Sequence, residues 1–215
     1  MKTVDVEQGG LEWMQERLGI PTASQFDRLV TPKTKKPSSA RAGYRAELLA
    51  SWLMGQPHDW GSTEWTERGN DLEPEARKFY EFERGVEVDE VGFVLRDDGK
   101  TGGSPDGLVE DDGILEIKCP MAVKHVRYLL GEDPDYTGQV QGYMYLTDRK
   151  WCDIMSYHEN IPPVIHRVER DEEHIAALVA VLDPFIEQLD ADKARLAKYR
   201  VLRPWSPEIL AEMAK

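Results

Sequence analysis

The sequence predicts a mixed α/β domain built on a central sheet, with a helical subregion at its N-terminus. Three observations predict it. Apolar residues recur at helical spacing in LEWMQERLG (11–19) and again over about 40–54. Strand-like segments then dominate 86–119, including a hairpin, and return in WCDIMSYH and VIHRVER. Helical patterns separate these strand groups and close the chain. At 215 residues there is enough chain for one sizeable core. Residues 1–215 are therefore read as one domain, with a helical part over 1–60, a sheet-bearing core over 61–200 and a tail over 201–215.

Taken in order, Leu11, Met14 and Leu18 form one helical face that Gly19 terminates. Thr22 followed by Gln25 is a capping-box pattern, so a second helix is expected to start at 22–24. TPKTKKPSSARAGYR (31–45) opens as an exposed loop with Pro32 and Pro37, and a helix follows over about 40–54. WGSTEWTERG (60–69) reads as a loop, with Trp60 and Trp65 as packing anchors. NDLEPEARKFYEFERG reads as a helix with Leu72, Ala76, Phe79 and Tyr80 on one side and Gly85 as its stop. VEVDEVGFVLRDD gives one or two strands. A helix around MAVKHVRYLLG and another over 135–147 precede the last two strands. A long helix over 171–199 is expected to break or kink at Pro184. Ser206 and Pro207 are a good N-cap and first-turn pair for a short final helix.

Composition excludes several classes. No apolar run reaches the roughly 18 residues that span a bilayer, and MKTVDVEQGG lacks the apolar core of a signal peptide. Cys119 and Cys152 are too few for a disulfide framework or a cysteine-type zinc site. His125, His158, His166 and His174 have no ligand spacing. A cytoplasmic, reducing setting without membrane contact is expected. The net charge of −13 would repel nucleic acid if it were spread evenly. It is not: residues 31–45 carry Lys33, Lys35, Lys36, Arg41 and Arg45 and no acid.

The chemistry concentrates in GSPDGLVEDDGILEIKCP (103–120). Asp111-Asp112-Gly113 suits a three-residue hairpin loop with glycine in the left-handed position. Glu110 then pairs with Ile114, Val109 with Leu115, and Asp106 falls opposite Lys118. Glu116 and Lys118 share a face with Asp106, while Leu115, Ile117 and Cys119 face the core. Two neighbouring carboxylates repel unless a proton or cation lies between them. With a backbone carbonyl and waters they form the oxygen-rich site that Mg²⁺ or Mn²⁺ prefers. Lys118 beside such an ion would orient or deprotonate a water, which is apparatus for phosphodiester hydrolysis. The plain alternative is an Asp–Lys ion pair on a solvated face.

Two further groups join this reading. A third acid on the helix NDLEPEAR would complete the site, and the local sequence leaves Glu73 and Glu75 equally eligible. Arg17, a few residues before a helix starting at Thr22–Ser24, makes a candidate anion site, with plain capping by Thr22 as the alternative. Gln139 and Gln141, if not merely on an exposed helix face, lie between Gly138 and Gly142, a spacing that implies close approach to something bulky.

SPDGLV…LEIKCP followed by YTGQVQGYMYLT closely resembles the lambda-exonuclease (YqaJ-like viral recombinase) branch of the PD-(D/E)XK nucleases. VEQGGLEWMQERLGIPTAS, RGNDLEPEARKFYEFERGVEV and VERDEEHI extend the match in order from about residue 6 to about 190. The resemblance implies a restriction-endonuclease-like core, a central mixed sheet flanked by helices. It also implies a 5′→3′ exonuclease that digests one strand of duplex DNA from an end. Asp106 and Glu116 would bind metal with the Ile117 carbonyl, Lys118 would handle the nucleophile, Glu73 would be the helix glutamate, and Gln139 would touch the attacking water or Lys118. Arg17, Thr22 and Ser24 would hold a terminal 5′-phosphate, with Ser104 nearby. Mg²⁺, replaceable by Mn²⁺ and with two ions per site, is the implied cofactor. A homotrimeric ring threaded by DNA and a phage-type single-strand annealing protein are the implied partners, in a bacterial host cell. The rivals are a restriction-type or Cas4-like nuclease and a catalytically silent DNA-end-binding module. The absence of a four-cysteine cluster opposes the iron–sulfur kind.

Overall fold

The computed structural model describes residues 1–57 and 64–200, with the side chains of 64–70 excepted. The expectations for Trp60, Trp65 and the Ser206–Pro207 helix start lie outside the described residues. In chain order the elements are β1 (Lys2–Val4), α1 (Leu11–Glu16), a 3-10 helix (Ala23–Arg28), α2 (Arg41–Met54), α3 (Glu64–Arg84), β2 (Val88–Asp89), β3 (Phe93–Leu95), β4 (Gly102–Gly103), β5 (Gly107–Val109) and β6 (Gly113–Lys118). Then come α4 (Ala122–Leu129), α5 (Thr137–Thr147), β7 (Trp151–His158), β8 (Ile161–Glu169) and α6 (Glu172–Leu196), with a 3-10 turn over Ala197–Tyr199. No described helix is long and apolar enough to cross a membrane.

The main sheet has the order β2-β5-β6-β7-β8 and is antiparallel except at β6–β7, which is parallel. A parallel pair needs a crossover, and here α4 and α5 supply it. β1, β3 and β4 form a second, smaller sheet. β1 was not expected from sequence. It ties the N-terminus to Phe93–Leu95, far along the chain.

Both faces of the main sheet are covered. Ile114 and Ile154 pack with Val140, Tyr143 and Met144 of α5, with Leu178 and Leu182 of α6, and with Phe26 of the 3-10 helix. Leu115, Ile117, Met155 and Tyr157 pack on the other side against Ala76 and Tyr80 of α3. The plain alternative of a solvated face does not hold: the Glu116 face is buried too, because α5 lies across it.

The hairpin register differs from the expected one. Val109 pairs with Gly113, Leu108 with Ile114 and Gly107 with Leu115. The loop is Glu110–Asp112, and its left-handed residue is Glu110 (φ 47°), not Gly113. Gly113 serves another purpose. It starts β6 beside Trp151, and a Cβ there would sit 2.1 Å from the indole. Arg149 holds the tip by donating to the carbonyls of Val109, Glu110 and Gly113 at 3.1, 2.7 and 2.7 Å. The pairing is offset by two residues, an even number, so side chains keep their faces. Extended by one step, it brings Asp106 beside Glu116 rather than Lys118.

Three smaller differences are physical. Residues 23–28 form a 3-10 helix, and Thr22 caps nothing with its side chain. α3 begins at Glu64, inside the segment expected to be a loop. α6 runs unbroken through Pro184, because burial of Leu182, Phe185 and Ile186 around it offsets the one hydrogen bond proline cannot donate.

Candidate active site

Ser104-Pro105 separates β4 from β5, so Asp106 enters the sheet one residue before pairing starts. Its Oδ2 accepts the Ile117 N–H at 2.6 Å. In an extended strand the N–H and C=O of one residue leave by the same edge, so the Ile117 carbonyl leaves on the Asp106 side, beyond the last β5 pair. Glu116 is 2% exposed. Its Oε1 accepts from the Lys118 ammonium and from Gln139 Nε2, the latter at 2.6 Å. Its Oε2 is buried with no partner.

Electrostatics follow from this crowding. Burial and the facing Glu116 push the Asp106 carboxyl well above the usual carboxylate range. For Lys118 burial works toward the neutral amine, but the Glu116 and Asp106 carboxylates outweigh it and the pKa rises. Burial also raises the Glu73 carboxyl, against the pull of Arg77 and with the charge of Glu116 adding to the rise.

Glu73 and Glu75 separate in space. Glu73 accepts from Arg77 at 2.6 Å, within electrostatic reach of Glu116 and Lys118. Glu75 instead accepts from the Tyr157 hydroxyl at 2.7 Å. Another buried acid, Asp153, is fully engaged: Arg167 reaches it at 2.7 and 2.8 Å and the Tyr80 hydroxyl at 2.8 Å. It serves packing under α3.

α5 supplies the second layer. Gln139 donates to Glu116 and, at 2.8 Å, to the Tyr143 hydroxyl, which donates to the Ser104 carbonyl at 2.9 Å. Gln139 therefore reaches the oxygen that Lys118 also holds, rather than Lys118 itself. Gln141 is buried but lies apart, bridging the Glu169 carbonyl and the Asp171 N–H at 2.8 and 2.9 Å. The bulky neighbour implied by the flanking glycines is the 3-10 helix: a Cβ on Gly138 would meet Asp27 at 1.8 Å, and one on Gly142 would meet Phe26 at 2.4 Å.

Arg17 lies on the far side of Ser104. Its Nη1 donates to Ser104 Oγ at 3.5 Å, and its guanidinium stacks on Trp13, 4.0 Å from the ring centroid. Trp13 Nε1 donates to the same hydroxyl at 2.6 Å. Burial lowers the Arg17 pKa, and among the described residues no carboxylate pairs with it. Thr22 and Ser24 face each other across 3.4 Å between their hydroxyls. The expected row of free N–H groups is corrected: the Thr22 N–H donates to the Tyr44 hydroxyl at 3.0 Å, and a short 3-10 helix replaces the α-helix.

Trp13 and Tyr143 are site residues that sequence reading missed. The signals existed. Trp13 precedes Arg17 by one helical turn, and Tyr143 follows Gln139 by one turn on a helix buried along most of its length. The basic segment is partly neutralised: Lys35 pairs with Asp171 and Glu173 at 2.8 and 2.7 Å, and Arg45 with Asp192 at 3.2 Å. Lys33, Lys36 and Arg41 stay exposed.

The residues present fit a hard divalent cation. Glu116 offers a buried, unpartnered oxygen, and Asp106 stands beside it as a carboxyl whose pKa burial and Glu116 raise. Among the described residues no group of three or more His, Cys, Asp or Glu side chains forms a metal cluster. A donor set of two carboxylates and one carbonyl lies below that count.

Residues 12–150 match the YqaJ-like viral recombinase domain. The alkaline exonuclease from Laribacter hongkongensis is 35% identical over 88% of this chain and 97% of its own, with a TM-score of 0.78. Its complex with dAMP gives 36% identity, 88% and 99% coverage and a TM-score of 0.77. A phage-related exonuclease from Haemophilus somnus shares the fold at 19% identity and a TM-score of 0.56, covering 89% of this chain and 97% of that one. No curated protein matches. With Asp106, Glu116 and Lys118 gathered on a five-stranded mixed sheet between helices, this chain belongs to the YqaJ-like viral recombinase family and is a nuclease.

Proposed function

We propose that this nuclease is a 5′→3′ exonuclease that digests one strand of linear duplex DNA from 5′-phosphorylated ends, leaving 3′ overhangs for phage-type recombination by single-strand annealing. The observation that carries the reading is the buried, unpartnered Oε2 of Glu116 beside Asp106, with Lys118 on the other oxygen. Asp106, Glu116 and the Ile117 carbonyl would hold Mg²⁺, or Mn²⁺ in its place, with two ions in the full site. Such ions would neutralise charge on the scissile phosphate and acidify a water.

The chain's own groups have distinct tasks. Lys118, whose pKa the Glu116 and Asp106 carboxylates raise, would orient a water and stabilise developing negative charge. Gln139 fixes the Glu116 carboxylate and thereby the direction of its free oxygen. Glu73, paired with Arg77 at the α3 edge of the site, would be the helix glutamate of the family. Arg17 and the Ser104, Thr22 and Ser24 hydroxyls bind the terminal 5′-phosphate, setting the distance from strand end to scissile bond. Ser104 Oγ already accepts from Trp13 and Arg17, so its own proton is available to a phosphate oxygen. The dAMP complex of the Laribacter relative supports a pocket for a nucleoside monophosphate.

A homotrimeric ring around the DNA and an annealing-protein partner complete the proposal, in the cytoplasm of a bacterial host. Linear 5′-phosphorylated duplex, linear 5′-hydroxyl duplex and closed circles, each incubated with Mg²⁺, test it. Rapid loss of the first, slower loss of the second and intact circles are expected. Cut circles would favour an endonuclease, and no cleavage of any substrate would favour a silent DNA-end-binding module.

A further inference from the structure

We propose that Tyr136 is a positioning residue for Lys118: its ring face seats the ammonium, and Lys124 holds its hydroxyl so that the ring cannot turn away. The inference rests on the nuclease reading and on the assignment of Lys118 to the reacting water.

Three observations carry it. Lys118 Nζ lies 4.9 Å from the centroid of the Tyr136 ring. Lys124, on α4, donates to the Tyr136 hydroxyl at 2.9 Å and lies 5.1 Å from the same centroid. Tyr136 also occupies the N-cap of α5, and its side chain makes no capping bond there. Ser, Thr, Asp or Asn would normally stabilise that position, so helix capping does not call for an aromatic residue there.

The physical need is clear. Lys118 ends in a flexible four-carbon stem, and one carboxylate oxygen alone would draw the ammonium against Glu116. An aromatic face attracts a desolvated cation from another side, so the ammonium is held between carboxylate and ring. The first turn of α5 thus steadies both partners: Gln139 holds the carboxylate and Tyr136 the ammonium. Simple packing is the competing explanation, since Tyr136 also lies against the main core. Leucine would satisfy packing but offers no π face.

Tyr136→Leu, Tyr136→Phe and Lys124→Gln separate the two. Tyr136→Leu is expected to lower kcat on linear 5′-phosphorylated duplex about 5- to 30-fold, with KM within about twofold. Tyr136→Phe and Lys124→Gln both keep the ring and remove only the Lys124 bond to its hydroxyl, so each is expected to lose less than Tyr136→Leu and about as much as the other. Proton NMR of the Lys118 ε-methylene gives a readout independent of turnover: an upfield ring-current shift in wild type, kept in Tyr136→Phe and lost in Tyr136→Leu. Wild-type kcat in Tyr136→Leu, equal losses in the Leu and Phe variants, a loss confined to KM, or no ring-current shift in wild type would each overturn the proposal. If wild type digests no DNA, the nuclease reading fails, and the NMR arm still decides whether the ring seats the ammonium.

Discussion

Gln139 Nε2 donates at 2.6 Å to Oε1 of Glu116, the oxygen that also receives the Lys118 ammonium, and the opposite oxygen is left buried and bare. The carboxylate is thus held by one end and offers the other. Gln139→Ala should release it. The lost bonds to Glu116 and Tyr143 should cost about 1–3 kcal/mol of stability, and divalent-ion affinity should fall roughly 10-fold or more. Denaturant unfolding and a Mn²⁺ titration measure the two effects. Unchanged ion affinity would remove Gln139 from the site.

A second expectation concerns pH. The Asp106 and Glu73 carboxyls are raised, by burial first, so the folded state binds more protons than the unfolded state above the ordinary carboxylate pKa. Stability without metal should therefore fall as pH rises from that value through the folded pKa. Added Mg²⁺ or Mn²⁺ replaces the proton, so the rise in Tm on adding metal should grow over the same range. A metal-induced shift that is flat with pH would contradict this electrostatic account.

Arg17 gives a third. Its guanidinium is stacked on Trp13 and bonded to Ser104, with no carboxylate partner among the described residues. Arg17→Ala should slow digestion of 5′-phosphorylated ends by about 10- to 150-fold, the range of a charge-assisted hydrogen bond. Digestion of 5′-hydroxyl ends should hardly change. A retained preference for phosphorylated ends would rule out the pocket.

The hairpin supplies a fourth. Arg149 binds three carbonyls at the tip, so Arg149→Ala should destabilise the protein by about 1–3 kcal/mol. It should also lower kcat without changing end preference, because the loosened register moves Asp106 relative to Glu116. Amide hydrogen exchange of Leu108 and Ile114 locates the effect. Wild-type protection at both would contradict it.

Much of this was legible in sequence, and the failures have physical causes. Alternation put Asp106, Glu116 and Lys118 on one face, and that survived a wrong register because the error was even. The error arose because a glycine needed for close approach to Trp151 looks like a turn glycine. The choice between Glu73 and Glu75 depends on which one meets Tyr157, a residue 82 positions away from Glu75. Local pattern cannot hold that information. Trp13 and Tyr143 were missed for a similar reason: large apolar-bodied residues on helices read as core until the polar atom at the tip finds its partner.

The most direct test is anomalous diffraction from crystals soaked in Mn²⁺. A manganese peak between the Asp106 carboxylate and Glu116 Oε2, with the Ile117 carbonyl completing the protein ligands, is the predicted result. An ordered site with both carboxylates in place and no ion between them would contradict the account.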